Sequence, residues 1–207
     1  MDWELMTSGG HLNDQSEFQP RQPVTIDWIR PYDIGPSDAH LHAIGQFMAN
    51  YSMVEWEISG LFAFFLSLPI GEAQRLAVDS NLSMAGKLRY VQGQLEDREG
   101  LDQESASDLL LCLKEFDTIS KLRHKIVHWQ WGLNEGNIAT LTDLIKPRNP
   151  ERATISLPLT ELRDKCMHIA KIYRALSMNF LVISGQYSRE QLLSLRKDTS
   201  PEKLFRP

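Results

Sequence analysis

Three long stretches of the chain carry apolar residues at the alternating three- and four-residue spacing of an α-helix, and this pattern constrains the fold most. They span residues 44–65, 109–127 and 162–183. A helix that is apolar on one face must bury that face against another element. The sequence therefore predicts a mainly α protein, and its 42% of hydrophobic residues supply enough material for a core.

Capping residues and prolines indicate where these helices begin and end. Ser37 is the expected N-cap of a first long helix that runs to about Ser67, just before Pro69. Shorter helices are predicted over 72–78 and 83–96, and the second long helix over 103–128. Thr160 is the expected N-cap of the last long helix. A weak amphipathic turn follows at 191–195.

Residues 129–157, between the second and the last long helix, have a different pattern. Two short strand-like pieces at 130–133 and 138–141 flank the run Asn-Glu-Gly-Asn, which favours a turn. Pro147 and Pro150 mark a second loop. We therefore expect a small β-hairpin inserted before the last long helix.

The chain divides into an irregular N-terminal arm at 1–35, a helical domain at 36–185 and a polar C-terminal tail at 186–207. The N-terminal residues do not show the basic segment followed by an apolar run that is typical of a secretory signal. The most apolar stretch, 58–70, is too short to span a bilayer and contains Pro69. These features predict a cytoplasmic protein without a membrane partner.

Net charge and cysteine content exclude some functional classes. A net charge of −5 argues against a dedicated duplex-DNA binder, because phosphate contact usually leaves a basic footprint on the whole domain. Cys112 and Cys166 lie on different predicted helices, and neither a CxxC pair nor a His/Cys cluster with zinc spacing is present. We expect no metal and no cofactor, and free thiols in a reducing compartment.

Two charged residues fall inside the predicted apolar faces. At about 100° per residue, Arg123 lies in the middle of the apolar arc of its helix, and Glu55 lies inside the arc of the first long helix. A buried charge needs a partner, so we expect these helices to pack together with Glu55 meeting or approaching Arg123. The pair is either an ordinary interior salt bridge or a device that holds Arg123 toward an anion or a second chain.

The residues around Arg123 form a local electropositive cluster. The run 121–131 contains Lys121, Arg123, Lys125 and two histidines, without an acidic residue. Arg123 and His128 are five residues apart, so on one straight helix they point about 140° away from each other. They converge on one ligand only if the helix frays near His128 or if two copies of the cluster face each other. This geometry favours a two-fold site.

The order Arg123, His124, three further residues and His128 resembles the motif of the HEPN family (higher eukaryotes and prokaryotes nucleotide-binding). That motif is an arginine, a polar residue, three residues and a histidine near the end of a long helix. The layout is also similar, with Glu55 pointing inward from an early helix, tryptophans after the motif, a β-hairpin and a final helix. The resemblance covers residues 37–185 and implies an up-down helical bundle. Val127 departs from the small residue expected before the histidine.

The resemblance implies metal-independent RNA cleavage by a homodimer, with an active site built from two motif copies and a 2′,3′-cyclic phosphate product. Arg123 would stabilise charge on the phosphate. His128 would act as general base or acid toward the ribose 2′-hydroxyl or the leaving 5′-oxygen, and His124 would orient the site or transfer a second proton. The expected substrate contacts are Lys121, Lys125 and Trp129. Such a protein is expected to be a toxin or defence factor, with an antitoxin or regulatory protein as a partner.

Several of these residues also have plain structural interpretations. His128 fits a histidine that interacts favourably with a helix C-terminus, and His124 fits an exposed polar position. Trp129 and Trp131 either stack bases or, as we favour, seal the hairpin onto the core. The lysines fit a solvated face. Three histidines outside the motif are expected on the surface: His40, His42 and His168. The competing hypothesis is a catalytically silent helical dimer that binds a nucleotide, an RNA or a partner protein.

Overall fold

The computed structural model describes residues 36–133, 138–144 and 154–198, which belong to one compact unit, Ile34–Pro207. Helices occupy most of these residues: α1 Asp38–Leu66, α2 Ile70–Asp79, α3 Met84–Asp97, α4 Gln103–His128, α5 Leu159–Ile183 and α6 Arg189–Asp198. The strands lie between α4 and α5: β1 Gln130–Leu133, β2 Ala139–Thr142 and β3 Thr154–Ser156. The prediction of a mainly α protein with a β element before the last long helix is confirmed. The predicted arm at 1–35 and the turn and proline loop at 134–137 and 147–150 lie outside the described residues.

Side-chain caps fix the beginnings of three helices. Ser37 caps α1 as predicted, because its Oγ accepts a hydrogen bond from the backbone N–H of His40. Ser83 caps α3 in the same way, and Asp102 caps α4 by accepting from the N–H of Ser105 at 2.8 Å. The prediction for α5 is wrong. Pro158 is its N-cap and Thr160 lies inside the first turn, where a proline with fixed φ already sets the entry of the chain.

The long helices pack side by side with mixed directions. α1 and α5 run parallel, since Asn50 donates to the carbonyl of Cys166 and Ser177 farther along α5 donates to Glu57. α4 runs antiparallel to α5, since Glu115 contacts His168 whereas the earlier Asp108 lines one groove with the later Asn179, so the C-terminus of α4 lies at the end of the bundle where α1 and α5 begin. The centre is filled by fully buried side chains from these helices: Phe47, Val54, Ile58, Leu61, Leu109, Leu113, Phe116, Leu162, Ile169 and Leu176.

α1 and α4 lie diagonally across the bundle and meet through a few side chains, rather than packing as neighbours in the way the sequence predicted. The Tyr51 ring lies 4.8 Å from the Phe116 ring, and the Tyr51 hydroxyl is 2.9 Å from Ser120 Oγ. The sequence pattern identified two inward faces correctly but gave no order of the helices around the core. A projection of each helix by itself contains no such information.

α3 covers only part of the face between α1 and α4. Lys87 and Tyr90 of α3 contact Ser59 and Phe62 of α1, so α3 lies beside the C-terminal part of α1 and runs toward its C-terminal end. Each residue adds about 1.5 Å to a helix, so α3 with its 14 residues is far shorter than α4 with its 26. α3 lies beside Lys114 and Thr118 of α4, so Arg123 and Val127 lie beyond it, and we call this uncovered part of α4 the open seam. Val127 is 44% exposed there although its position faces the core.

The β element is a three-stranded antiparallel sheet of order β1-β2-β3. The predicted hairpin is confirmed, with Trp131 opposite Leu141 and with β2 one residue later than expected. The third strand was not predicted, because Thr154–Ser156 is too short to show an alternating pattern. Leu141 and Leu157 are buried, so the sheet closes one end of the core.

The predicted polar tail contains a helix rather than a single weak turn. Leu192 of α6 is buried, and Arg189 lies between the acidic groups at the start of α4. Its guanidinium pairs with Glu104, with Asp108 at 3.4 Å and with Asp102 at 3.8 Å. The full length of α6 was not predicted because a helical pattern is recognised from several apolar residues at 3.6-residue spacing, and Arg189–Asp198 has few apolar residues.

Candidate functional site

The residues of the predicted motif lie on the last two turns of α4. The helix remains regular through His128 and ends because Trp129 is extended, with φ −89° and ψ 152°, while its N–H still donates to the carbonyl of Lys125 at 2.9 Å. β1 follows at once. The motif is therefore held between the core of the bundle and the sheet.

Arg123 lies at the open seam, half-buried against α1. Its Nε is fully buried and has no hydrogen-bond partner, and its Cζ lies 5.7 Å from the centre of the Tyr51 ring. Tyr51 is fixed in turn by Ser120, whose hydroxyl also donates to the carbonyl of Phe116. The guanidinium thus has an aromatic support on one side and an unsatisfied donor, which is costly for a buried group.

Glu55 is half-buried and takes part in none of the direct ion pairs among the described residues, and neither does Arg123. The two charges act on each other at longer range. Burial raises the pKa of Glu55, while the positive charges of Arg123 and Lys87 lower it. Glu55 is therefore near enough to Arg123 for the positive charge to affect its pKa, as the sequence predicted. The two residues do not form an ordinary interior salt bridge.

His124 and His128 form a contacting pair on the exposed side of α4. Their ring centres lie 4.6 Å apart at an interplanar angle of 46°. Both side chains are exposed, as expected for residues one turn apart on one helix face. One chain therefore brings the two imidazoles together. It does not bring Arg123 and His128 together, because the regular helix separates them by about 140°.

The surrounding cations are partly engaged by other groups. Lys121 pairs with Asp117 at 3.4 Å, one turn earlier on α4 and outside the acid-free run 121–131. Lys125 lies 4.9 Å from the Trp129 ring. These contacts make the electropositive cluster smaller than its composition indicates.

The two tryptophans after the motif anchor the sheet to α4. The indole N–H of Trp131 donates to the carbonyl of Ile126 at 3.0 Å, and both rings pack against the core. The interpretation of these residues as a seal between hairpin and core is confirmed. Trp129 additionally supports a cation, a role that the sequence analysis did not predict.

Sequence reasoning missed two supporting residues and misplaced one histidine. Tyr51 and Ser120, which hold the site of Arg123, look like ordinary core and helix residues in the sequence. His40 was expected on the surface, but it is buried and its Nδ1 lies 2.8 Å from Ser37 Oγ. The Ser37 side chain gives the inward His40 ring a polar partner, whereas Ala39 and Leu41 on either side of it are exposed. His42 is exposed as predicted, and His168, 3.2 Å from Glu115, is partly exposed.

Comparison with known protein families, characterised proteins and solved structures gives no match to this chain. Among the described residues, no group of three or more His, Cys, Asp or Glu side chains is arranged to hold a metal ion. None of the helices in the described ranges is by itself long and apolar enough to cross a membrane. α1 and α2 taken together meet that length and composition criterion across a bend of 95°.

A groove of about 550 Å³ lies between α4, α5 and α6, on the opposite half of α4 from the motif. Apolar side chains such as Leu111 and Leu192 line it, together with Lys171, Arg174 and Arg189. Cys112 also lines this groove, and burial raises the pKa of its thiol to about 11. The groove shares no lining residue with the Arg123 region, so it does not belong to the predicted site.

Proposed function

We propose that the protein is a metal-independent endoribonuclease of the HEPN type that acts as a homodimer. The observation that carries this proposal is Arg123, a half-buried cation with an unsatisfied Nε donor, which lies on the helix that also carries two exposed imidazoles. A phosphate would supply the missing acceptor once the Arg123 side chain moves enough to uncover its Nε, because guanidinium groups bind phosphate oxygens through two parallel hydrogen bonds. HEPN identity is supported by the motif and by the mainly α architecture with its β element.

The proposed reaction is an intramolecular transesterification of RNA. One imidazole takes the proton of the ribose 2′-hydroxyl as its oxygen attacks the phosphorus, and the bond to the 5′-oxygen breaks. A second, protonated imidazole gives its proton to the leaving 5′-oxygen. Arg123 stabilises the negative charge that builds on the phosphate oxygens. The products are a 2′,3′-cyclic phosphate and a 5′-hydroxyl, and neither metal nor water takes part.

The dimer follows from the direction of the side chains. α4 does not fray before His128, so Arg123 and His128 of one chain cannot reach one phosphate. In a two-fold assembly, Arg123 of one chain meets the imidazoles of the other, and the exposed Val127 becomes buried at the contact. A cytoplasmic role as a toxin or defence factor, with an antitoxin or regulatory protein as a partner, belongs to the same proposal.

The second candidate is a catalytically silent helical dimer that binds a nucleotide, an RNA or a partner protein. The pairing of Lys121 with Asp117 favours it, because a ribonuclease gains substrate affinity from free cations beside the cleaved phosphate. The packing of Trp131 into the sheet favours it as well, because that ring is not free to stack on a base.

The deciding experiment incubates the purified, full-length protein with single-stranded RNA in EDTA. Wild type should release 2′,3′-cyclic ends, and His128→Ala and Arg123→Ala should each lose cleavage by about a hundredfold or more. His42→Ala and Arg75→Ala, at exposed positions outside the site, are the matched controls and should cleave like wild type. Intact RNA with wild type, or equal cleavage by all variants, would refute the enzymatic proposal. A stable monomer by solution mass would remove the two-fold site.

A further inference from the structure

We propose that His124 and His128 form a chelation site for a transition-metal ion with nitrogen preference, such as Ni²⁺, Zn²⁺ or Cu²⁺, and that occupation of the site inhibits the enzyme. The inhibitory part depends on the proposed ribonuclease function. The chelating part depends only on the two imidazoles. No structural metal is implied, because two side chains leave most positions of the ion to water.

The distance between the rings fits a shared ion. Metal–nitrogen bonds of about 2.0–2.1 Å place the centres of two imidazoles on one ion roughly 4.5–5.2 Å apart, depending on the coordination angle. The ring centres of His124 and His128 are 4.6 Å apart in the structure, which lies within this range, so chelation requires side-chain rotations that turn one nitrogen of each ring toward the ion. The site is exposed, and an ion enters without opening the bundle.

The neighbouring cations do not occupy the space beside the rings. Lys121 is drawn toward Asp117, and Lys125 lies over the Trp129 ring. The last turn of α4 is held by the bond from the Trp131 indole to the carbonyl of Ile126. Because the helical turn that carries both ligands is already ordered, ion binding requires no further ordering of the backbone.

Chelation would stop the proposed reaction directly. A metal-bound imidazole nitrogen has no lone pair with which to accept a proton and carries no proton to give. One ion thus withdraws both of the groups that would act as base and acid. Because imidazole suits Ni²⁺, Cu²⁺ and Zn²⁺ whereas Mg²⁺ prefers oxygen ligands, Mg²⁺ should have no such effect.

Binding is tested by calorimetric titration of untagged protein with Ni²⁺ in buffer without chelator. Wild type should bind, and His124→Ala and His128→Ala should each weaken binding at least about tenfold, since one histidine loses the advantage of a second tethered ligand. His42→Ala and His168→Ala are the matched controls and should bind like wild type. Unchanged affinity in either motif variant, or equal weakening in a control, would overturn the site.

Inhibition is tested separately on RNA cleavage. Ni²⁺ at a concentration that saturates wild type should suppress cleavage at least tenfold and EDTA should restore it, whereas Mg²⁺ at the same concentration should leave the rate unchanged. Undiminished cleavage at saturating Ni²⁺ would overturn the regulatory inference. If wild type fails to cleave RNA even in EDTA, the proposed function fails, and the calorimetric titration still decides the metal site.

Discussion

Arg123→Met is the substitution that separates a functional arginine from a structural one. If Arg123 is held for a phosphate, the folded chain carries an unfavourable group, and replacing it with an apolar side chain of similar length should not destabilise the protein. If the longer-range attraction between Arg123 and Glu55 instead stabilises the fold, the same change should be destabilising. The two hypotheses predict effects of opposite sign on the free energy of unfolding.

The magnitude follows from the contacts of the guanidinium. Removing a buried donor that has no acceptor should raise the free energy of unfolding by about 1–3 kcal/mol. Loss of the cation–π contact with Tyr51 should lower it by about 0.5–1 kcal/mol. Methionine fills irregular space and has a high helix propensity. We therefore expect a net stabilisation of about 1 kcal/mol, which for a chain of this size raises Tm by about 2–4 °C. Leaving the half-buried Glu55 without a needed cation would instead cost stability, up to the roughly 3–5 kcal/mol of a broken buried ion pair.

The assay is urea unfolding at one fixed protein concentration, because dimer formation would otherwise change the apparent stability. Arg75→Met, an exposed arginine on α2, is the matched control and should shift the free energy of unfolding by less than about 0.5 kcal/mol. A loss of more than about 2 kcal/mol in Arg123→Met, with an unchanged control, would refute the reasoning. The stabilised variant should also be inactive on RNA, as expected when an active-site residue is kept at a cost in stability.

Three further predictions concern other parts of the fold. Burial raises the pKa of Glu55 above its usual 4.5, so folding favours the protonated carboxyl, and stability falls as pH rises from 4.5 to the raised value. Glu55→Gln should remove this loss when urea unfolding is measured at a series of pH values. Parallel stability curves for wild type and variant would contradict the prediction. Burial raises the pKa of Cys112 to about 11, so little reactive thiolate is present at pH 8. Cys112 should therefore react with iodoacetamide about a hundredfold more slowly in the folded than in the unfolded chain. Equal rates would contradict this and show an accessible thiolate. Arg189→Ala should cost about 1 kcal/mol and speed hydrogen exchange in α6, whereas unchanged exchange would show that Leu192 alone holds the helix.

The helices could be predicted because their cause is local. α4 begins and ends where the pattern placed it, since Asp102 caps its start and the apolar period stops at the extended Trp129. The predicted cap of α1 at Ser37 is confirmed for the same reason. Thr160 fits a capping pattern equally well, but Pro158 sets the entry of α5 two residues earlier. Two adequate local signals compete there, and a pattern alone does not decide between them.

The geometry of the candidate site was only partly predictable. The inward positions of Glu55 and Arg123 follow from helix periodicity, and their inward placement is confirmed as half-burial. Their separation depends on the diagonal placement of α1 and α4, which arises from how the whole bundle packs. The exposure of Val127 has the same origin, because it depends on where α3 starts rather than on any property of residue 127. The catalytic roles of Arg123, His124 and His128 remain predictions.

The hydrogen bond from the Trp131 indole to the carbonyl of Ile126 has a consequence for temperature response. The terminal turn of a free helix unravels first on warming, because its last carbonyls lack partners. Here one of those carbonyls is tied to a strand, so the turn that carries His128 should open only together with the sheet. Activity and metal affinity should therefore persist until the sheet melts and then disappear together, instead of declining gradually.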